Sequence, residues 1–237
     1  MSIYTIGDLH LSFSEDKPMD VFGDNWKNHE EKIKQDWLKK VKEEDLVVIP
    51  GDFSWAMHLD DTKKDFEYLN ELPGKKLLLK GNHDYWWETV TKMKNFLDEN
   101  EFKNIDFIYN NSFEFEDTII TGTRGWSNNE DAQDNKKIFE REVARLKYGI
   151  KDALGTEEKM SKDIIVFMHY PPITKQDFQE NNQSAFVQIM QKYNVKKCFY
   201  GHLHAHAIDD AVEGNYYGIE FKLVSADALK FELFKVK

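Results

Sequence analysis

The chain has 237 residues, a net charge of −11 and one cysteine, Cys198. Its 41% hydrophobic residues suffice for a sizeable core, whereas the negative charge disfavours the basic surface with which proteins capture nucleic acid. A single cysteine forms no disulfide within the chain, and no apolar stretch approaches the roughly 20 residues needed to cross a membrane, so we expect a cytoplasmic protein without a membrane anchor.

The first half of the sequence alternates predicted strands with predicted helices. Strands are predicted at residues 1–6, 46–49 and 77–79, and the last two are short apolar runs typical of buried strands. Apolar residues at helical spacing predict helices over residues 26–41, 60–72 and 88–96. In the first of these helices, Ile33, Trp37 and Val41 share one face. This alternation predicts a mixed sheet flanked by helices.

The second half adds more strand than helix. Short strands are predicted at residues 106–109, 112–115, 118–121, 164–168 and 198–200. Helices are predicted at residues 134–150 and 184–193, the first as a cap or outer layer. The tail from Tyr216 alternates like antiparallel strands. Because no linker or repeat interrupts the chain, we expect one α/β domain over residues 1–237, with a second sheet packed on the first.

Polar clusters follow five of the predicted strands. They comprise Asp8 with His10, Gly51-Asp52, Gly81-Asn82-His83-Asp84, His169, and Gly201-His202-Leu203-His204. Ligands of α/β sheets bind at the carboxyl ends of strands, where such loops converge. Carboxylates, an amide oxygen and imidazoles are ligands for catalytic divalent ions, whereas a structural zinc site would favour thiolates. The sequence therefore predicts one metal site built from all five clusters.

Further interpretations concern Asp84, the pair His202 and His204, and Arg124. Asp84 either orients the His83 ring and favours its protonated form or caps a helix beginning near Tyr85, and both roles can hold together. His202 and His204, two apart on an extended segment, point to the same face. Arg124, which follows a predicted strand, either clamps a substrate phosphate or forms a surface salt bridge.

These motifs resemble those of the calcineurin-like metallophosphoesterase superfamily, whose pattern is D-x-H, GD, GNH[DE], a lone H and GHxH, in this order. The resemblance implies a two-sheet β-sandwich flanked by helices on both sides, in four layers. It implies two metal ions: the first is bound by Asp8, His10 and His204, the second by Asn82, His169 and His202, and Asp52 bridges them. It also implies that His83, paired with Asp84, donates a proton or stabilises the transition state. The HxHxDH signature of metallo-β-lactamases is excluded, because Ala205 stands where that signature needs Asp.

The expected reaction is hydrolysis of a phosphate ester by a hydroxide that bridges the two ions. Manganese is the expected metal, and iron, zinc or cobalt would also suit the ligands. Residues 51–57 lack the Asp and Arg of the GDxVDRG motif of protein phosphatases, which favours a small phosphorylated substrate over a phosphoprotein. The leading prediction is a phosphomonoesterase. A phosphodiesterase acting on a cyclic nucleotide or nucleic acid is the nearest alternative. A non-catalytic metal-binding scaffold is an alternative of another class. The sequence does not indicate the oligomeric state.

Overall fold

A computed structural model describes residues 1–127, 133–155 and 162–237. In chain order its elements are β1 (Ile3–Thr5), α1 (His29–Lys40), β2 (Leu46–Pro50), α2 (Lys63–Glu71), β3 (Lys75–Leu79), α3 (Val90–Glu99), β4 (Ile105–Phe107), β5 (Ser112–Phe115), β6 (Thr118–Thr123), α4 (Gln133–Ala153), β7 (Asp163–Met168), α5 (Lys175–Gln179), α6 (Ala185–Lys192), β8 (Lys197–Tyr200), β9 (Gly214–Tyr216), β10 (Ile219–Leu223) and β11 (Phe234–Lys235). Among the described residues they form two mixed sheets with helices, which confirms the predicted α/β class.

The first compact unit, called unit 1, comprises Met1–Phe107 and Val224–Lys237. Its sheet has the order β11-β1-β2-β3-β4, in which β1 to β4 are parallel and β11 is an antiparallel edge. Every residue of β2 is buried, as expected for a central parallel strand covered on both faces. Helix α1 contributes Ile33 and Trp37 to the core of this unit, as its apolar spacing predicts.

The second compact unit, called unit 2, is Ile108–Leu223. Its sheet has the order β5-β6-β7-β8-β10-β9, with β6, β7, β8 and β10 parallel and the two edge strands antiparallel. Helix α4 packs on β6 and also contacts α6. In each unit the parallel strands end at one edge of their sheet, so the loops that follow them are neighbours.

Several element boundaries differ from the predictions. Helix α1 begins at His29 because Asn28 has a left-handed backbone, with φ of 54°, which a right-handed helix cannot include. The tail was predicted as antiparallel strands, yet β10 runs parallel to β8 while pairing antiparallel with β9. An alternating pattern indicates a strand and not the direction of its neighbour. None of the described helices is both long and apolar enough to cross a membrane.

Candidate metal centre

In unit 1, three of the predicted ligands are buried close together. Asp8, His10 and Asp52 are at most 3% exposed. Nε2 of His10 lies 3.8 Å from Oδ2 of Asp52, and Asp8 offers a carboxylate oxygen within 4.8 Å of a ligand atom of each of the other two. The loops after β1 and β2 are joined by backbone hydrogen bonds, from Asp8 N–H to Gly51 O at 2.9 Å and from His10 N–H to Asp52 O at 3.0 Å. The sheet therefore fixes this cluster through its main chain.

Two carboxylates in this cluster make it a strong candidate for a cation site. Asp8 and Asp52 both lie out of water with oxygens within 4.8 Å of each other, and like charges so placed repel strongly. A divalent ion bound between them relieves this repulsion, and carboxylate and imidazole groups are ligands for such ions. The residues present in unit 1 thus fit the predicted metal.

Four of the seven predicted ligands have a left-handed backbone, a conformation that costs energy for residues other than glycine. Their φ angles are 58° at Asp8, 46° at His10, 49° at Asp52 and 74° at His202. Strained backbones persist only where the surrounding structure holds them, and they cluster at functional sites. This observation is independent of the motifs, and it marks the same loops.

Asp52 packs against the backbone of the Gly81 loop. A Cβ atom added to Gly81 would lie 2.0 Å from Oδ1 of Asp52 and 2.2 Å from its backbone nitrogen. The Asp52 carboxylate also accepts a hydrogen bond from the backbone N–H of His83 at 2.8 Å. Only glycine allows this approach, so Gly81 serves to position the carboxylate.

Asp84 joins the loops after β2 and β3. Its Oδ2 accepts hydrogen bonds from the N–H groups of Asp52 at 3.0 Å and Gly81 at 2.7 Å. Its Oδ1 accepts from Phe53 at 2.9 Å, Ser54 at 3.3 Å and the indole of Trp86 at 3.0 Å. The alternative role of Asp84 as a helix cap is wrong, because the next helix begins at Val90 and Thr89 caps it. The pairing of Asp84 with the His83 ring stays a prediction.

The imidazoles of His10 and His83 share an aromatic neighbour. The Trp55 ring stacks on His10 with centroids 4.8 Å apart and contacts His83 at 4.5 Å. Trp55 in turn lies under the ammonium group of Lys17, 4.1 Å from the ring centroid. Asn82 and His83 are half-buried, so both side chains keep access to solvent. Trp55 therefore restricts the orientation of both rings, a role that its place in the sequence did not indicate.

Asp65 is a further buried carboxylate near these loops. It accepts a hydrogen bond from the backbone N–H of Phe13 at 3.0 Å and a short one from the hydroxyl of Ser54. Burial raises its pKa to about 6. Asp65 thus joins the segment after β1 to the Asp52 loop. Sequence reasoning missed it, because Asp65 lies in a helix whose pattern indicates only a solvated polar position.

In unit 2, His169 and His202 follow the adjacent parallel strands β7 and β8. Nε2 of His169 lies 3.3 Å from Nδ1 of His202, so the structure brings these two predicted ligands together. His169 is fully buried, whereas His202 and His204 are half-buried. The ring of Tyr170 lies against His202, with centroids 4.1 Å apart. Both imidazoles follow strand ends, and their role as metal ligands stays a prediction.

Arg124 follows β6 in the same unit and has a buried partner. Its Nη2 lies 3.7 Å from Oε1 of Glu142, which is fully buried on α4, and its guanidinium lies 4.6 Å from the Trp126 ring centroid. Burial lowers the pKa of Arg124, and the charge of Glu142 opposes this shift. A salt bridge thus exists, but it is internal and not on the surface as that interpretation assumed. The role of phosphate clamp stays a prediction.

Comparison with protein families decides the class of the molecule. The family model described as calcineurin-like phosphoesterase matches residues 1–206, which include all the predicted ligands. The chain belongs to the calcineurin-like phosphoesterase family. This phosphoesterase is therefore a metal-dependent phosphoric ester hydrolase, and the resemblance drawn from the five motifs is confirmed.

Solved structures similar to this phosphoesterase show the same fold. A protein of unknown function from Aquifex aeolicus has 22% identity and a TM-score of 0.51, and a phosphopantetheinyl hydrolase from Mycobacterium tuberculosis has 14% identity and a TM-score of 0.58. Each match covers 99% of this chain and 95% of the other. A Thermus thermophilus protein has 11% identity and a TM-score of 0.56, covering 85% of this chain and 81% of the other. Comparison with curated proteins gave no significant match.

Proposed function

We propose that this phosphoesterase is a phosphomonoesterase that acts on a small organic phosphate with two divalent ions. In the proposal, Asp8, His10 and His204 bind the first ion, Asn82, His169 and His202 bind the second, and Asp52 binds both. The observation that carries it is the buried cluster of Asp8, His10 and Asp52, whose carboxylates need a cation. The family model spans both units, which supports their action as one domain.

The protein residues have separable parts in this reaction. When bound, the ions would supply an activated water and positive charge beside the phosphoryl oxygens. Asp52 holds its carboxylate in place through Gly81 and the His83 N–H. The His83 imidazole, held against Trp55 and half-buried, donates a proton to the departing oxygen of the ester. Asp84 fixes the backbone that carries both residues.

The substrate is proposed to be a small molecule, with manganese as the metal. The fold shared with a phosphopantetheinyl hydrolase supports a phosphorylated organic group as substrate, without choosing between monoester and diester. Iron, zinc and cobalt suit the same ligands. The cytoplasmic location favoured by the sequence stays a prediction, and the buried thiol of Cys198 is consistent with it.

A direct test compares nitrophenyl phosphate with bis-nitrophenyl phosphate on the manganese-loaded protein. The proposal expects faster hydrolysis of the monoester, and a clear preference for the diester would establish the phosphodiesterase alternative. Bound metal without turnover of either ester, or of a broad panel of phosphates, would indicate the non-catalytic scaffold. Asp52→Asn should lose bound metal and nearly all activity.

The role of His83 is tested by the leaving group. His83→Ala should keep both metal ions and lose rate, most severely for esters whose leaving group is a poor one, because such groups need the proton most. Metal content is measured beside the rates for nitrophenyl phosphate and benzyl phosphate. Equal losses on the two esters would contradict the role of proton donor.

A further inference from the structure

Unit 2 contains a cavity of about 320 Å³ beside His202. We propose that this cavity binds the organic group of the substrate and that the preferred organic group is an apolar one bearing a ring. The inference rests on the proposed function, because it assigns the phosphoryl group to the ions that His202 helps to bind. It adds a substrate class that the ligand motifs do not specify.

The cavity lies where ligands of parallel sheets bind. Its walls come from the segments that follow β6, β7 and β8 and from the facing helices α4 and α6. These three strands are parallel, so their carboxyl ends meet at one edge of the sheet. The same edge carries His169 and His202. A ligand in the cavity is therefore held beside proposed ligands of the metal.

Two pairs of aromatic rings contribute to the apolar wall. Trp126 and Tyr170 have ring centroids 5.1 Å apart, and Phe139 and Phe186 have centroids 5.1 Å apart. Phe186 is 1% exposed, whereas Trp126, Phe139 and Tyr170 are half-buried and keep part of their surface open. Open aromatic faces favour rings of the ligand that stack or meet them edge-on.

Two hydroxyls of the wall, those of Thr174 and Ser184, already have partners within the protein. The Thr174 hydroxyl donates to Asp177 at 2.7 Å and accepts from the Asp177 N–H at 3.0 Å. The Ser184 hydroxyl donates to the carbonyl of Pro172 and accepts from the Val187 N–H. A sugar or polyol placed against these two side chains would lose hydrogen bonds to water, and both hydroxyl protons are already donated within the protein. This arrangement favours an apolar ring over a polyhydroxylated group.

The size of the cavity sets the size of the ring. An engineered apolar cavity of roughly 150 Å³ holds benzene. A volume of about 320 Å³ therefore accommodates a benzyl or fused two-ring group. The contact between Tyr170 and His202, with centroids 4.1 Å apart, means that such a group lies next to a proposed metal ligand. A short linker between the ring and the phosphoryl group of the substrate therefore suffices.

The test uses esters whose leaving groups have similar basicity. Benzyl phosphate and ethyl phosphate both release alkoxides, so a difference between them reports binding of the ring and not leaving-group chemistry. We expect kcat/KM of the manganese-loaded protein to be higher for benzyl phosphate by on the order of tenfold or more. Glycerol phosphate should be no better than ethyl phosphate. Equal values for benzyl and ethyl phosphate would overturn the inference.

Variants locate the preference in the cavity. Trp126→Ala should lower the benzyl-to-ethyl ratio of kcat/KM by on the order of tenfold, mainly through KM. Tyr148→Ala, an exposed aromatic residue of α4 outside the cavity, should leave the ratio at its original value. Phe139→Ala gives a second measurement if Trp126→Ala folds poorly. A ratio unchanged in both cavity variants would place the preference elsewhere and overturn the inference.

A binding measurement separates this inference from the proposed function. The metal-free protein should bind naphthalenemethanol in calorimetry, and Trp126→Ala should bind it more weakly. If this holds while no phosphate ester is cleaved, the cavity assignment stands and the proposed function fails. If phosphate esters are cleaved, but naphthalenemethanol does not bind and benzyl phosphate is not preferred over ethyl phosphate, only the cavity assignment fails.

Discussion

The two units carry ligand loops of different construction. In unit 1 the predicted ligands include both carboxylates, and buried main-chain hydrogen bonds to Asp84 hold the loops. In unit 2 the predicted ligands are imidazoles, and they border an aromatic cavity. Carboxylates close to each other need fixed positions, whereas a surface for an organic group needs open space. In our proposal, the carboxylates of unit 1 bind the charge of the metal ions, and the cavity of unit 2 recognises the organic part of the substrate.

The buried acidic residues of the two units also differ in which groups they hold in place. Asp84 in unit 1 accepts hydrogen bonds from backbone N–H groups and one indole, so it fixes the main chain. Glu142 in unit 2 accepts from Thr123 at 2.7 Å and Arg145 at 2.9 Å and lies near Arg124, so it fixes side chains. We therefore expect substitutions in unit 1 to affect metal binding most, and those around Glu142 to affect stability and the cavity.

Among substitutions outside the proposed metal ligands, the largest effect is expected for Gly81→Ala. Its Cβ would lie 2.0 Å from Oδ1 of Asp52, so the carboxylate or its loop must move by an ångström or more. A displacement of that size lowers activity by at least about 100-fold. Metal content and phosphate release measure it. Gly155→Ala, where the added Cβ meets nothing closer than 3.4 Å, is the control; equal activity in the two variants would contradict the role of Gly81.

Asp84→Asn should destabilise the protein by about 4 kcal/mol and weaken metal binding. Each carboxylate oxygen accepts at least two hydrogen bonds, so either orientation of the amide places its NH₂ group against N–H donors. Asp45→Asn is the matched control, since Asp45 is also buried and accepts from the N–H groups of Ser2 and Lys42. The Asp45→Asn protein should lose stability and keep its metal affinity. Urea unfolding and metal titration separate the effects; equal metal affinities would contradict a special role of Asp84.

Asp84 also shows what the sequence could and could not predict. The motif marked it as functional, but its hydrogen bonds reach residues about 30 positions earlier, and no local pattern reports such contacts. The strands before Asp8, Asp52 and His169 were predictable because buried parallel strands are continuous apolar runs. Family membership was predictable from the order of the motifs.

Other parts of the fold were not predictable from local patterns. Helix α5 has five residues and no buried ones, so it leaves no apolar periodicity. Strand β9 is wholly exposed and likewise lacks an alternating pattern. The cavity in unit 2 combines Trp126, Phe139 and Phe186 from distant segments. Each of these residues in isolation indicates only core packing.

Glu142→Gln should destabilise the protein by about 3 kcal/mol, because it removes the buried negative charge beside Arg124 and Arg145. Since the guanidinium of Arg124 lies over the Trp126 ring, the substitution should also weaken binding of naphthalenemethanol. Thermal unfolding and calorimetry measure the two effects. Glu140→Gln, an exposed neighbour on α4, should change neither. A Glu142→Gln protein as stable as Glu140→Gln would remove the contrast drawn between the units.

The smallest effect concerns pH and Asp65 in unit 1. Burial raises its pKa from the ordinary value of 3.8 to about 6, so between pH 4 and pH 6 the folded state keeps a proton that the unfolded state has lost. Stability therefore falls as the pH rises through this window, by on the order of 2 kcal/mol from this group. In Asp65→Asn, the amide oxygen can still accept from the Phe13 N–H, and the NH₂ group can donate to the Ser54 hydroxyl. The new side chain cannot ionise. Urea unfolding at pH 4, 5, 6 and 7 should show that the variant gains stability relative to the original protein as the pH rises. A constant difference across these pH values would show that the pKa of Asp65 is not raised in the folded state.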